Sequence, residues 1–285
     1  MADIKNLVKD IYDRISTPEP FKQEDVSEFC KNLTIRLSER LSEERKEVKI
    51  WLSNLGSKCD RKLWYAVNKP ALSEPLPGHA RLKFLIGDIW EETLLFLARA
   101  SGHSVEGEQE RVSISGVTGR RDAIIDGRTV DVKSASSRSF QKFKDHELDN
   151  DDPFGYITQG ETYALASQDD PRVTEKDKFS FLAGDKTLGH LVLDTYKVRR
   201  SKEDYEKLVA QRREMLAGPF PERGFEDEKD GESGNRKLGV ACSYCEFKKS
   251  CWPDARIFLY SGGPRFLTRV VKPPYNKNGP IQEVK

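Results

Sequence analysis

The chain has 285 residues, 36% of them apolar and 33% charged, a length that suits one or two domains. Its 20 Gly and 14 Pro are too few for a collagen-like or low-complexity protein, and 14 Phe, 9 Tyr and 4 Trp suffice for a sizeable core. No apolar run approaches the ~18 residues of a membrane span, and the charged first ten residues do not read as a signal peptide. The expectation is an intracellular protein, cytoplasmic in a bacterial or virus-infected cell, with no membrane partner. The net charge of +1 hides an uneven distribution. Gly119 to Lys144 is basic, Asp145 to Asp152 is acidic, and the last 25 residues are basic again.

Ile4, Leu7, Val8, Ile11 and Ile15 form an i, i+3, i+4 stripe that predicts a first amphipathic helix. A second, carrying Phe29, Leu33, Leu37 and Leu41, is expected from about Gln23 towards Trp51, with Cys30 as a buried or half-buried packing residue. A third follows Gly87 and stops near Gly102. The period then changes to strands at 110–114, 118–125 and 128–134, with Asp126-Gly127 as a hairpin turn. A helix from Tyr156 to Ser167 follows, then a hairpin of 178–183 with 188–198. Ser201 with Asp204 predicts a capped helix that runs to Ala217 before Gly218-Pro219. Residues 222–239 read as a mobile loop. This order describes a mixed α/β protein.

The hairpin carries the chemistry. A two-residue turn at Asp126-Gly127 pairs Ile125 with Arg128 and therefore sets Asp122 opposite Asp131. Opposed carboxylates at ~5 Å repel by roughly 3 kcal/mol at an effective dielectric of about 20. A divalent cation converts that repulsion into binding, and oxygen-only ligands suit Mg²⁺ or Mn²⁺. Lys133 shares the Asp131 face and can orient a water or offset charge on a phosphate.

Gly119-x-x-Asp122, Asp131-x-Lys133 and Gln159-x-x-x-Tyr163, with Gly87-x-x-x-Glu91 before them, resemble the PD-(D/E)XK nuclease superfamily in its RecB-like exonuclease branch. The resemblance spans Gly87 to Tyr163. It implies a restriction-endonuclease-like α/β core: a mixed central sheet flanked by helices, with N-terminal helices before it. It also implies metal ligation by Asp122, Asp131, the Val132 carbonyl and Glu91, where the branch often has His. Glu92 is the alternative if the helix register is off by one. Lys133 would be the catalytic lysine, Gln159 would support the catalytic face or substrate, and Tyr163 would stack on or hydrogen-bond the nucleic acid.

Cys242, Cys245 and Cys251 stand as C-x2-C-x5-C, and Cys59 lies far upstream. Four thiolates suit tetrahedral zinc or an iron–sulfur cluster, and spacing alone favours zinc. Cys59-Asp60-Arg61-Lys62-Leu63-Trp64-Tyr65 resembles the N-terminal cysteine motif of iron–sulfur RecB-like nucleases, such as AddB and the CRISPR-associated RecB-like proteins. That resemblance implies a [4Fe–4S] cluster, structural in role, stapling the C-terminal segment to the nuclease core. The expected division is an N-terminal helical segment (1–56), a nuclease domain closed by the cysteine quartet (57–252) and a basic extension (253–285).

Arg120, Arg121, Ser134, Ser136 and Arg138 flank the catalytic residues and are expected to meet DNA phosphates, with Tyr163. The Arg265, Arg269, Lys272 and Lys277 segment reads as non-specific grip or as solvated tail. The expected activity is a metal-dependent, sequence-independent DNA exonuclease acting at an end or a single strand in recombination, repair or replication, alongside proteins of those processes. The alternatives are a DNA end-binding or adaptor subunit and a structure-specific endonuclease. No Gly-x4-Gly-Lys-[Ser/Thr] loop is present, so no nucleoside triphosphate partner is expected.

Overall fold

The Asp126-Gly127 turn forms as the alternation requires, with both residues at positive φ (47° and 82°), the left-handed geometry of a tight two-residue hairpin. A computed structural model describes residues 2–41, 49–277 and 279–284. Along it run α1 (Leu7–Ser16), α2 (Gln23–Leu41), α3 (Asp60–Asn68) and α4 (Gly78–Ala100). Next come β1 (Val105–Glu106), β2 (Arg111–Ile114), β3 (Val117–Arg120), β4 (Ala123–Ile125), β5 (Arg128–Ala135), α5 (Ser137–Lys144) and α6 (Tyr156–Ala166). Then follow β6 (Lys178–Asp185), β7 (Leu191–Lys197), α7 (Lys202–Ala217), β8 (Glu228–Lys229), β9 (Arg236–Lys237), α8 (Val240–Ser243) and α9 (Lys248–Cys251). Strands β10 (Arg256–Tyr260), β11 (Gly263–Arg269), β12 (Tyr275–Asn276), β13 (Gly279–Pro280) and β14 (Glu283–Val284) end the chain. Among the described residues no helix is long and apolar enough to cross a membrane.

The chain divides into two units, Met1–Gly56 with Pro77–Arg212 and Ser57–Leu76 with Arg213–Lys285. The first is built on a mixed sheet of order β1-β4-β5-β6-β7, in which β5 and β6 are parallel and the other pairs antiparallel. Strand alternation splits its core in two. Ile125, Val130, Val132 and Leu182 face α1 and α4 through Leu7, Ile11, Leu94 and Leu95. Ala135, Phe179, Phe181 and Tyr196 face α5 and α6 through Phe140, Phe143 and Ala164. The result is a sheet flanked by helices on both faces, the layered solution for a central sheet that is apolar on both sides.

Several local expectations need correction. The third helix starts at Gly78, not after Gly87. A lone interior Gly costs a helix only about 1 kcal/mol, and α4 continues through it. The strand expected at 118–125 is broken at Arg121-Asp122, because β3 pairs with β2 while β4 pairs with β1 and β5. Cys30 is exposed, and α2 has no buried residue, so the stripe on that helix is only half-covered. Of the part of this helix expected beyond Leu41, residues 42–48 lie outside the described residues and 49–51 are not helical.

The second unit holds a sheet of order β14-β10-β11-β9-β8, with Phe258, Leu267 and Ile281 as its core. Residues 222–239, expected as a mobile loop, supply β8 and β9 to it. Arg265, expected in a tail, lies on β11, pairs with Asp230 at 2.8 Å and stacks over Tyr260.

Candidate active site

The hairpin register pairs Ala123 with Val130, Ile124 with Thr129 and Ile125 with Arg128. Asp122 is the next residue outward and turns its carboxylate back on β5, where Oδ2 accepts from the Val132 N–H at 2.8 Å. Asp131 is 5% exposed, and its Oδ2 lies 2.5 Å from Lys133 Nζ, two residues along the same strand. Burial pushes the Asp122 carboxyl up to about 7, with the Asp131 charge adding; Lys133, the Val132 N–H and Arg36 oppose this. For Lys133, burial opposes the charge, but the Asp131 and Asp122 carboxylates outweigh it and hold the ammonium well above its usual range. Lys133 is therefore a fixed cation between two acids.

Glu91 on α4 belongs to the same group. Burial raises its carboxyl well above the usual range, and the charge of Asp122 is the next cause; Glu92 and Asp131 add and Arg36 opposes. Glu92 faces other groups. Burial carries it to about 6, against Arg36 and Arg99, with Glu108 and Asp88 adding. Of the two glutamates, Glu91 is the one whose charge meets both aspartates.

Gln159 and Tyr163 lie one turn apart on α6. Gln159 is half-buried. Tyr163, expected to stack on or hydrogen-bond nucleic acid, is 5% exposed and packs in a core with Leu52, Leu55, Ile114 and Val117. Gly119 makes room for it: a Cβ there would come within 2.8 Å of the Tyr163 ring. Burial raises the Tyr163 hydroxyl, Asp131 and Asp122 add, and Lys133 and a bond with Ser53 oppose. The hydroxyl stays neutral and faces the acids, while the ring is closed off from stacking.

Arg121, expected at the phosphates, is 1% exposed. Its guanidinium is engaged by the Gly107 carbonyl (3.1 Å), Glu110 (2.5 Å) and Asp170 (2.6 Å), so it ties the β3–β4 break together. Arg120 pairs with Glu39 at 2.8 Å. Ser136 caps α5, accepting from the Ser139 N–H at 3.4 Å, and Arg138 is exposed in its first turn. Ser134 is half-buried, with its Oγ 3.5 Å from where a Gly87 Cβ would be.

Three neighbours had no sequence signal. Tyr156, at the start of α6, lies under Lys133, whose Nζ is 5.0 Å from the ring centroid. Arg36 on α2 donates to both Glu91 oxygens (2.8 and 2.9 Å), and Gln109 Nε2 donates to Glu91 Oε1 at 2.6 Å. Nothing local in sequence ties α2 to α4, so only the tertiary fold reveals these contacts.

The four cysteines expected as a quartet all belong to the second unit. Cys59 caps α3, with its Sγ accepting from the Lys62 N–H at 3.4 Å. Burial pushes the Cys242 thiol up to about 11, and Cys59 and Cys251 add, against a Trp252 bond and Arg223. Burial carries Cys245 to about 12; the Phe247 N–H and Lys62 oppose, and Glu246 and Cys59 add. Among the described residues no three His, Cys, Asp or Glu side chains are closed tightly enough to grip an ion. The donor types suit their groups by chemistry. The Glu91 and Asp122 carboxyls, raised by burial and by neighbouring acids, suit a hard divalent cation. The Cys242 and Cys245 thiols, raised by burial and by neighbouring cysteines, suit a thiophilic metal.

No protein-family model matches the chain, and no curated protein matches it. Among solved structures it is similar to SSO0001, at 17% identity over 79% of this chain and 96% of that one, with a TM-score of 0.41. It is also similar to an alkaline exonuclease (LHK-Exo) from Laribacter hongkongensis, at 14% identity over 60% of this chain and 88% of that one, with a TM-score of 0.37.

Proposed function

We propose that this chain is a metal-dependent nuclease of the PD-(D/E)XK superfamily, RecB-like branch, acting as a sequence-independent DNA exonuclease. The observation that supports it is the meeting of Asp122, Asp131 and Lys133 on one hairpin, with the Glu91 charge on both aspartates. Glu91, Asp122, Asp131 and the Val132 carbonyl would hold Mg²⁺ or Mn²⁺. When bound, the cation supplies a Lewis acid for the phosphoryl oxygens.

The chain's own residues do the rest. Lys133, fixed as an ammonium, hydrogen-bonds the attacking water and offsets the charge that builds on the phosphate. Tyr156 beneath it limits where that ammonium can swing. The neutral Tyr163 hydroxyl faces the two aspartates from α6, and Gln159 lies one turn from it. Arg120, Ser134, Ser136 and Arg138 are the polar groups on the neighbouring elements that would meet backbone phosphates, which makes binding indifferent to base sequence. Cys59, Cys242, Cys245 and Cys251 would hold a [4Fe–4S] cluster, with zinc as the alternative. Its role would be to cross-link the Ser57–Leu76 segment to the C-terminal part of the second unit.

The test is cleavage of linear and circular single-stranded DNA by the purified chain with Mg²⁺, Mn²⁺ or EDTA. The expected result is metal-dependent digestion of the linear substrate alone, lost in Asp131→Ala and Lys133→Ala. Full activity in either variant overturns the reading, and rapid cutting of the circle makes the enzyme an endonuclease.

A further inference from the structure

Helix α2 lies on the site-bearing elements without burying one residue of its own. Phe29 packs on Phe96 of α4, with ring centroids 5.1 Å apart, and a row of polar side chains adds to the hold. Asn32 reaches Glu108 (3.4 Å), Arg36 reaches Gln109 (2.8 Å) and Glu91, Glu39 reaches Arg120 (2.8 Å), and Arg40 grips Asp88 (2.6 and 2.8 Å). Arg36 is the centre of this row. Its guanidinium also stands 3.3 Å from Glu92 and 3.9 Å from Asp88, and its side chain is only 14% exposed. Glu91 thus gives lone pairs on both oxygens to one arginine, and Gln109, itself bonded to that arginine, takes another.

We infer that Arg36 is a positioning residue of the site: it clamps Glu91 and competes with a divalent cation for that carboxylate. The inference deepens the nuclease reading and rests on it for the identity of the metal site. A guanidinium and a divalent cation cannot use the same lone pairs, and their charges repel at close range. A cation that recruits Glu91 to Asp122 and Asp131 therefore has to loosen Arg36, and with it the central tie between α2 and α4. Because the apolar face of α2, with Phe29 on Phe96, is only half-covered, loosening that tie weakens the docking of the helix. Metal occupancy and the seating of α2 oppose each other.

Mn²⁺ alone is the probe, so the readout is independent of cleavage. Its dissociation constant is measured by electron paramagnetic resonance on the full chain, with Arg36→Gln and Arg36→Lys beside the wild type. Removing the competing charge should tighten Mn²⁺ binding by about threefold or more in Arg36→Gln. Arg36→Lys, which keeps the charge but loses the fork, should fall between. A purely architectural role for Arg36 moves the constant the other way, because a disordered site binds the ion more weakly. In the wild type, saturating Mn²⁺ should speed amide hydrogen exchange in residues 23–41 while β5 and β6 stay protected. Unchanged or weaker binding in Arg36→Gln, or α2 exchange indifferent to Mn²⁺, overturns the clamp. Tighter binding in the variant of a chain that never cleaves DNA keeps the clamp and removes the nuclease reading. A wild type that binds no Mn²⁺ removes both.

Discussion

Lys133 Nζ stands 2.5 Å from Asp131 Oδ2, on the next position of β5 that faces the same way. The pair makes Lys133 a fixed positive group beside two acids, and in the proposed nuclease its work would be in the reaction and not in holding a polyanion elsewhere on the surface. Lys133→Ala should therefore lower single-turnover cleavage by about 10² or more, while oligonucleotide affinity in Ca²⁺ changes little. Equal losses in cleavage and affinity would instead make Lys133 a binding residue.

The Asp122 carboxyl, pushed up to about 7 chiefly by burial and then by Asp131, sets a pH signature in the metal-free chain. The folded state holds that proton more tightly than the unfolded chain does. The stability it contributes is present at low pH and is lost as pH rises from about 4 to about 7. Asp122→Asn keeps an oxygen for the Val132 N–H and removes the charge. In EDTA its melting temperature should match the wild type near pH 4 and exceed it by pH 8. A difference that does not change with pH sinks this assignment.

Arg121 gives a prediction of opposite sign. It is buried, with Glu110 and Asp170 on its guanidinium. Bonds from Arg172 are the largest cause holding both acids below the usual carboxylate range, and Arg121 adds to them against burial. Their contribution is present above that range and fades as pH falls through it. Arg121→Met should cost about 3 kcal/mol in urea denaturation at pH 7. The gap should narrow below about pH 4. DNA affinity should not move beyond what the lost stability explains, because this guanidinium faces the interior.

How much of this was legible in sequence follows from how local each signal is. The Asp126-Gly127 turn and the alternation of its arms set the register that carries Asp122 to Val132, and Ser201 with Asp204 forms the reciprocal cap the spacing predicts, with each backbone N–H bonded to the other side chain. Both devices span a few residues. Arg36 and Gln109 reach Glu91 from other elements, so no window along the chain contains the contact. Arg121 looked like a phosphate ligand because it adjoins Asp122, but the chain breaks strand there and turns the side chain inward. The strands of the second unit are mostly two residues long, too short for a period-2 pattern to register.

The fifth cysteine supplies the control for the other four. Cys30 is exposed on α2, in the first unit, whereas Cys59, Cys242, Cys245 and Cys251 share the second unit, where burial raises the Cys242 and Cys245 thiols and neighbouring cysteines add. If those four hold a cluster, Cys242→Ser removes a ligand that the remaining three cannot replace. It should lose stoichiometric iron and the visible absorbance of a [4Fe–4S] centre. It should also lose several degrees of melting temperature, since a structural metal site contributes folding free energy directly. Cys30→Ser should keep both metal and melting temperature. Zinc in place of iron, lost in Cys242→Ser alone, would keep the site and change the metal. Identical metal content in the two variants would sink the quartet, because one substitution touches the four thiols and the other does not.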